Sequence, residues 1–349
     1  MAVSFTYDDA HNIYIDENGV LYLFGSNLGV GGASMFDLDS SATNPPFLGA
    51  YNGSYYHDGV ARGDTLWGAA INIGKFEVVD VSSKSNPVVM ASQATPNAFT
   101  HNIWFSDDNQ TVFTTDEKPG AYVTAYDVGD LSNITELDRI RTSLSDPTQV
   151  IPHNTHVKGD FLVTSYYTSG LQIVDASQPD ILVETAYYDT SPLTGNGFEG
   201  AWGAYPYLPS GHILITDRQE GLFILQTDYP RASFFTAFIK DSVTGSPIVN
   251  ASINMLNTDI NGNSNIFGNF RDGQRDTGLY QVAVSKPGYR TDTIQVRMQE
   301  GVVTAENYCL TARRLFHSRG EITRRYSCLS QPIKRKLRDS IAIRGQCYY

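Results

Sequence analysis

The feature that most constrains this chain is a unit that recurs four times and then once more in altered form. The pairs His11-Asn12, His57-Asp58, His101-Asn102 and His153-Asn154 stand 46, 44 and 52 residues apart, and Ala201-Trp202-Gly203 begins 48 residues after His153. Each opens a short strand. Each of the first four units closes on a strand carrying an aspartate: Met35-Phe36-Asp37-Leu38, Val78-Val79-Asp80-Val81, Ala125-Tyr126-Asp127-Val128 and Ile173-Val174-Asp175-Ala176. The fifth, Leu222-Phe223-Ile224-Leu225, lacks it. A glycine (Gly32, Gly74, Gly120, Gly170, Gly221) precedes each closing run, where a tight turn between antiparallel strands needs positive φ. The simplest role for the aspartate is to accept backbone N–H groups in the polar turn that follows. Several short strands in a period of about 40–50 residues is the signature of propeller blades. Residues 8–228 are therefore expected to form five units of antiparallel strands.

Composition agrees with an all-β chain. The 21 Tyr and 17 Phe favour strands, and 30 Gly and 15 Pro interrupt the sequence at short intervals. The net charge is −12, yet residues 312–349 hold ten Lys and Arg against only Glu321 and Asp339, so the body is more acidic than the whole. Such a body repels nucleic acid and anionic membrane and favours cations, sugars or other neutral partners. Cys309, Cys328 and Cys347 all lie near the end, which leaves the body without a disulfide framework. No window reaches the roughly 18 apolar residues of a membrane span, and Met1-Ala2-Val3-Ser4-Phe5 has no signal-peptide character.

The His-Asn openers together with the runs LQIVDAS (171–177), SNPVVMASQ (85–93) and GAWGAYPYLPSGHILITDRQEGLFIL (200–225) resemble the LVIVD-repeat, choice-of-anchor B family of bacterial surface β-propeller proteins. The resemblance spans roughly residues 8–228 and implies a secreted or cell-surface location. Family members carry a secretion signal and further repeat units upstream of the one opening here at His11. This chain begins without them, which leaves closure of the ring with five units open.

Beyond residue 230 the pattern changes. The run Phe238 to Ala251 reads as strand, turn, strand, and Gly278 to Val284 followed by Lys286-Pro287-Gly288-Tyr289 reads as a second such pair. Residues 231–311 are similar to the carboxypeptidase regulatory-like domain, a transthyretin-like β-sandwich, and that resemblance implies a spacer or docking module without catalysis. Residues 312–349 form a basic tail with no periodic apolar face, expected to be disordered or foreign to the fold and to contribute nothing to folding.

In a propeller the first strand of each blade is innermost, so residues opening it gather round one mouth of the central channel. His11, His57, His101 and His153 are expected to converge there, with Asn27, Asp116, Glu117, Tyr166 and Asp217 at the ends of second strands nearby. Neutral imidazoles beside carboxylates can hold a divalent transition metal. The competing reading is a polar staple in which each histidine bonds the backbone of the next blade. Repetition favours the staple, with at least one histidine facing the channel. His156 has the wrong spacing from His153 to share its face. The aromatics Trp67, Trp104, Tyr166, Tyr167, Trp202 and Tyr205 either stack on a sugar, with Trp202 and Tyr166 the candidate contacts, or fill the core between blades.

Nucleophile-elbow, zinc-helix and phosphate-loop motifs are absent, and Asp259–Ser264 departs from a calcium loop at its sixth and twelfth positions. The leading expectation is a non-enzymatic surface binding or adhesion module whose ligand is a carbohydrate or a protein. The alternatives are a glycosidase-like hydrolase using Asp116 or Glu117 with Asp217, and a purely structural repeat protein.

Overall fold

The computed structural model describes residues 8–144, 146–313 and 333–335. It falls into two compact units, Met1–Tyr229 and Pro230–Tyr349. In the first, the repeats become successive antiparallel sheets. Blade 1 is β1 (Asn12–Ile15), β2 (Val20–Phe24), β3 (Ala33–Asp37) and β4 (Phe47–Tyr51). Blade 2 is β5 (Asp58–Arg62), β6 (Thr65–Ala70), β7 (Lys75–Asp80) and β8 (Val88–Ala94). Blade 3 is β9 (Thr100–Phe105), β10 (Thr111–Asp116), β11 (Val123–Asp127) and β12 (Thr135–Ile140). Blade 4 is β13 (Thr155–Lys158), β14 (Phe161–Ser165), β15 (Leu171–Asp175) and β16 (Val183–Tyr188). Blade 5 has three strands, β17 (Ala201–Tyr205), β18 (Ile213–Asp217) and β19 (Gly221–Leu225). The unit is an all-β propeller array. First strands of successive blades lie against one another, which brings the openers to one end of the axis.

Local chemistry explains why the blades repeat so closely. Asp80, Asp127 and Asp175 each accept the backbone N–H two residues on, from Ser82 (2.8 Å), Gly129 (2.9 Å) and Ser177 (2.9 Å), which makes the turn leaving the third strand. Gly74, Gly120, Gly170 and Gly221 have φ between 63° and 93°. A Cβ at Gly170 would also lie 2.1 Å from the Tyr188 carbonyl oxygen, so both sterics and backbone conformation exclude a side chain there. In blade 1 the positive φ falls one residue earlier, on Gly31 (75°). A bulge interrupts the pairing of third with fourth strand at Met35/Phe36, Val78/Val79, Ala125/Tyr126 and Ile173/Val174, the same place in four blades, and adds the twist that a blade requires.

Apolar clusters hold adjacent blades together. Tyr22, Phe24, Tyr56 and Leu66 join blades 1 and 2; Phe76, Ile103 and Tyr126 join 2 and 3; Val123, Tyr166 and Val174 join 3 and 4; Val163, Ile173 and Ile215 join 4 and 5. Among the described residues no such cluster joins blade 5 to blade 1. Instead Ile13 and Ile15 on β1, and Leu222 and Ile224 on β19, remain 52–62% exposed.

In the second unit, β20 (Ser233–Asp241), β23 (Asn269–Gln274), β26 (Val303–Leu310) and β27 (Ile333–Arg335) form one sheet. The other consists of β21 (Ser252–Met255), β22 (Asn261–Asn263), β24 (Gly278–Ser285) and β25 (Asp292–Met298). Phe235, Ile239, Ile253, Val282, Met298 and Tyr308 are buried together in their core. One pair departs from the antiparallel expectation: β20 and β26 run parallel, because the chain crosses from the other sheet before β26 joins. Of the basic tail, Ala312 forms a bridge with Tyr289 and Ile333–Arg335 pairs with β26. Its residues 314–332 and 336–349 lie outside the described residues.

A polar chain runs through the propeller beneath the openers. Asp58 is buried and accepts Asn12 Nδ2 on one oxygen and Asn102 Nδ2 on the other, each at 2.7 Å, while Asn102 Oδ1 accepts the Thr155 backbone N–H at 3.0 Å. Four blades are thereby linked through one carboxylate. Burial pushes its pKa up to about 6, against the opposing pull of the Asn102, Gly59 and Asn12 donors. Replacing Asn102 by Ala strips Asp58 Oδ2 and the Thr155 N–H of their partners together, while Oδ1 keeps those from Asn12 and Gly59. At roughly 1–3 kcal/mol for each orphaned buried partner, the loss at pH 7 is expected to be on the order of 2–4 kcal/mol in urea unfolding.

Candidate functional site

The second residue of each opener stitches blades; the first builds a site. Backbone bonds fix the openers in place: the N–H groups of His11, His57 and His153 donate to Phe24, Ala69 and Ser165 of the second strands, each at 2.9 Å. Repetition then stacks the side chains. Ring centroids of His11 and His57 are 3.7 Å apart, those of His57 and His101 4.2 Å, and those of His101 and His153 4.5 Å. Successive rings are tilted by 46–48°. Trp202, from the altered fifth opener, continues the row at 4.8 Å from His153. The row descends from exposed His11 through half-buried His57 to His101 and His153, each 2% exposed, and ends on Trp202 at 47%.

Both expected roles of the histidines meet in this row. His153 Nδ1 donates to the Trp202 carbonyl, a bond to the backbone of the next blade. For His57 and His101 the carbonyl of the next opener, that of His101 and His153 respectively, favours the protonated ring slightly. Neither contact reaches hydrogen-bond geometry, and both Nδ1 atoms are buried without a partner. The staple is thus complete at His153 alone. On the other side, Glu117 faces the row, with Oε2 3.5 Å from His101 Nε2 and Oε1 4.0 Å from His153 Nε2. Two sets of donor atoms lie within 4.8 Å of one another: His11, His57 and His101, and His101, Glu117 and His153.

The other candidates separate cleanly. Asp116 is 1% exposed, and its carboxylate accepts Thr95 Oγ1 and the N–H groups of Asn97 and Phe99, so it anchors the loop before β9. Asp217 accepts Thr190 Oγ1 and the N–H groups of Gln219 and Glu220, which ties it to the β18–β19 turn. Tyr166 is fully buried between blades 3 and 4, its hydroxyl 3.3 Å from the Ala121 carbonyl oxygen. Asn27 pairs with Asp8. His156 packs on Trp104 and Tyr207, away from the row.

Tyr167 is the site residue that carries most beyond the sequence reading. Its hydroxyl donates to Glu117 Oε1, and its ring stands 5.1 Å from that of His153. Its φ is 39°, a region a tyrosine enters at a cost, and it is held there by reciprocal backbone bonds with Ala201. No spacing rule connects residues 117 and 167. The sequence placed Tyr167 only among the aromatics near the openers, as a sugar contact or core filler, and gave no sign that it would bond Glu117.

Burial sets the charge state of the row. Desolvation lowers the pKa of His11, takes His57 down to about 4, assisted by His11, and holds His101 well below its ordinary value. It takes His153 to about 3 despite the Trp202 carbonyl, while burial of Glu117 raises its pKa against the Tyr167 hydrogen bond. At neutral pH the row therefore presents uncharged imidazoles.

The class these features define is an all-β propeller array with an imidazole-lined, aromatic-edged mouth, followed in the chain by a β-sandwich unit. No model of a known protein family matches the chain, and no curated protein matches it. Among solved structures it is similar to the periplasmic gluconolactonase PpgL of Pseudomonas aeruginosa, with 14% identity and a TM-score of 0.49 over 62% of this chain and 65% of that one. The chain thus spans less than two thirds of that gluconolactonase. It is also similar to a protein from Lactobacillus plantarum, with 13% identity and a TM-score of 0.47 over 86% of this chain and 89% of that one. No helix among the described residues is long and apolar enough to cross a membrane.

The pH response of the chelator-treated protein follows from these shifts. Unfolded imidazoles titrate near 6.5, and the folded ones bind protons only at lower pH, so their contribution to stability is full above 6.5 and is lost as pH falls towards 4. Asp58, whose pKa is raised to about 6, and Glu117 and Glu306, whose pKa values burial also raises, act in the opposite sense, since a raised carboxyl pKa costs stability as pH rises. They stand against the four imidazoles of the row and that of His156, all lowered by burial. Urea midpoints are expected to fall between pH 7.5 and pH 5, and His153→Gln to make that fall shallower.

Proposed function

We propose that this chain is a non-enzymatic binding module of the cell surface or the extracellular or periplasmic space, taking a neutral carbohydrate at the propeller mouth. The observation that supports it most directly is the juxtaposition of exposed Trp202 with the buried histidine row. A flat, half-exposed aromatic ring is thereby set at the end of the row, a surface on which a sugar ring can stack. Phe198 and Tyr205, 47% and 48% exposed, add aromatic surface on either side of Trp202 in the chain. The acidic body disfavours polyanions. The resemblance to surface-anchored propellers supports the location.

Of the three carboxylates expected to serve a hydrolase, Asp116 and Asp217 are occupied by backbone N–H groups. Glu117 alone faces the histidines, and this weighs against a two-carboxylate glycosidase, which needs both groups free at the scissile bond. The test is retention on an array of neutral oligosaccharides, run beside hydrolysis of chromogenic glycosides. Trp202→Ala is expected to lower retention at least about tenfold, the scale of one lost stacking contact. Hydrolysis that disappears in Glu117→Gln would replace this reading with the catalytic one.

A further inference from the structure

We propose that His101, His153 and Glu117 form a site for one divalent transition-metal ion of the zinc type, with Tyr167 as the residue that positions the carboxylate. The proposal deepens the binding reading, since it names an ion at the same mouth. It begins from a mismatch of hydrogen-bonding roles. A carbonyl oxygen only accepts, so the His153 contact to Trp202 fixes the proton on Nδ1. Nε2 of the neutral ring is then a bare lone pair, and it points at Glu117 Oε1 4.0 Å away, itself an acceptor already bonded to Tyr167. Two acceptors facing each other in a buried site repel unless a proton or a metal ion stands between them, and here a third ligand atom, from His101, lies within 4.8 Å of both, which is the arrangement an ion takes.

His101 completes the set. Its Nε2 lies 3.5 Å from the other Glu117 oxygen, and its ring is 2% exposed with Nδ1 unpartnered. The separations suit an ion: tetrahedral bonds of about 2.0–2.1 Å place neighbouring donor atoms about 3.3 Å apart, so 3.5 and 4.0 Å require closure by less than an ångström. Two imidazoles and a carboxylate form a donor set that takes zinc or its neighbours and leaves a coordination position open. Tyr167 fixes the orientation of Glu117 as a hydrogen-bonded partner one step out from an ion does. The alternative triad of His11, His57 and His101 shares a ligand with this one, lacks a carboxylate to offset the charge, and includes an exposed ring.

The test uses the full chain, stripped with chelator and titrated with Co²⁺ as a spectroscopic probe, then with Zn²⁺. The expected result is one equivalent of Co²⁺ with visible d–d absorption, displaced by Zn²⁺. Glu117→Gln and His153→Ala should each weaken Co²⁺ at least about 100-fold. Tyr167→Phe should weaken it about 10–100-fold and shift the absorption while the chelated protein melts as wild type does. His11→Ala should leave affinity within about threefold. Circular dichroism of the chelated variants guards against misfolding, and should His153→Ala fail to fold, the near-isosteric Glu117→Gln decides. Absence of Co²⁺ binding by wild type, wild-type affinity in Glu117→Gln, or loss in His11→Ala alone would each overturn the site. Oligosaccharide retention measured in parallel separates the two readings. Retention without Co²⁺ binding removes the ion and leaves the binding module; Co²⁺ binding without retention does the reverse.

Discussion

The propeller depends on one buried carboxylate. Asp58 takes the amides of Asn12 and Asn102 on its two oxygens, and Asn102 passes the connection on to the backbone at Thr155. A charge out of water is costly by itself and tolerable when every lone pair has a donor. These bonds cross blade boundaries, so satisfying Asp58 requires three blades to be in register and a fourth to follow. The apolar clusters supply most of the cohesion between blades. The polar chain restricts how those clusters can slide, because a shift that kept the apolar contacts would strand the carboxylate.

The histidines sit one residue away and answer to a different demand. Stacked rings at successive openers are a consequence of repetition: once the backbone places one imidazole at the strand start, the next blade places another beside it. The row becomes asymmetric where repetition breaks. The fifth opener has tryptophan in place of the pair, and its carbonyl fixes the His153 tautomer. Glu117 and Tyr167 come from blades 3 and 4 alone, outside the repeated positions. A repeated row of imidazoles, stapled to the next blade at His153 alone, thus acquires one distinct end, buried and facing Glu117.

Much of the architecture was legible because a blade is a local object. Its strands pair in chain order, its turns need glycine and aspartate at set places, and these leave marks within each period of the sequence. The shift of the positive φ from Gly32 to Gly31 in blade 1 and the parallel pairing of β20 with β26 were not legible. In blade 1 the Tyr51 carbonyl leaves no room for a Cβ at Gly32 although its φ is not positive, and the parallel pair depends on a crossover between sheets.

The sequence by itself determined the five repeat units, the opening, second and closing strand of each, and the convergence of His11, His57, His101 and His153, since these follow from period and position; the fourth strand of blades 1–4 and the strand boundaries did not. Which groups would face them was decided only in three dimensions. Asp116, Glu117 and Asp217 look alike as acidic residues at the ends of second strands. Two were captured by neighbouring backbone N–H groups, according to the path of loops 95–99 and 217–221, while Glu117 accepts the Tyr167 hydroxyl and faces the histidines. Tyr166 and Tyr167 are adjacent, yet one fills the core and the other orients Glu117, because the positive φ at 167 turns its side chain to the mouth. Hydrogen bonds between residues about fifty positions apart, such as Tyr167 to Glu117 or Asn102 to Thr155, exist only once blades have docked, and no local pattern encodes them.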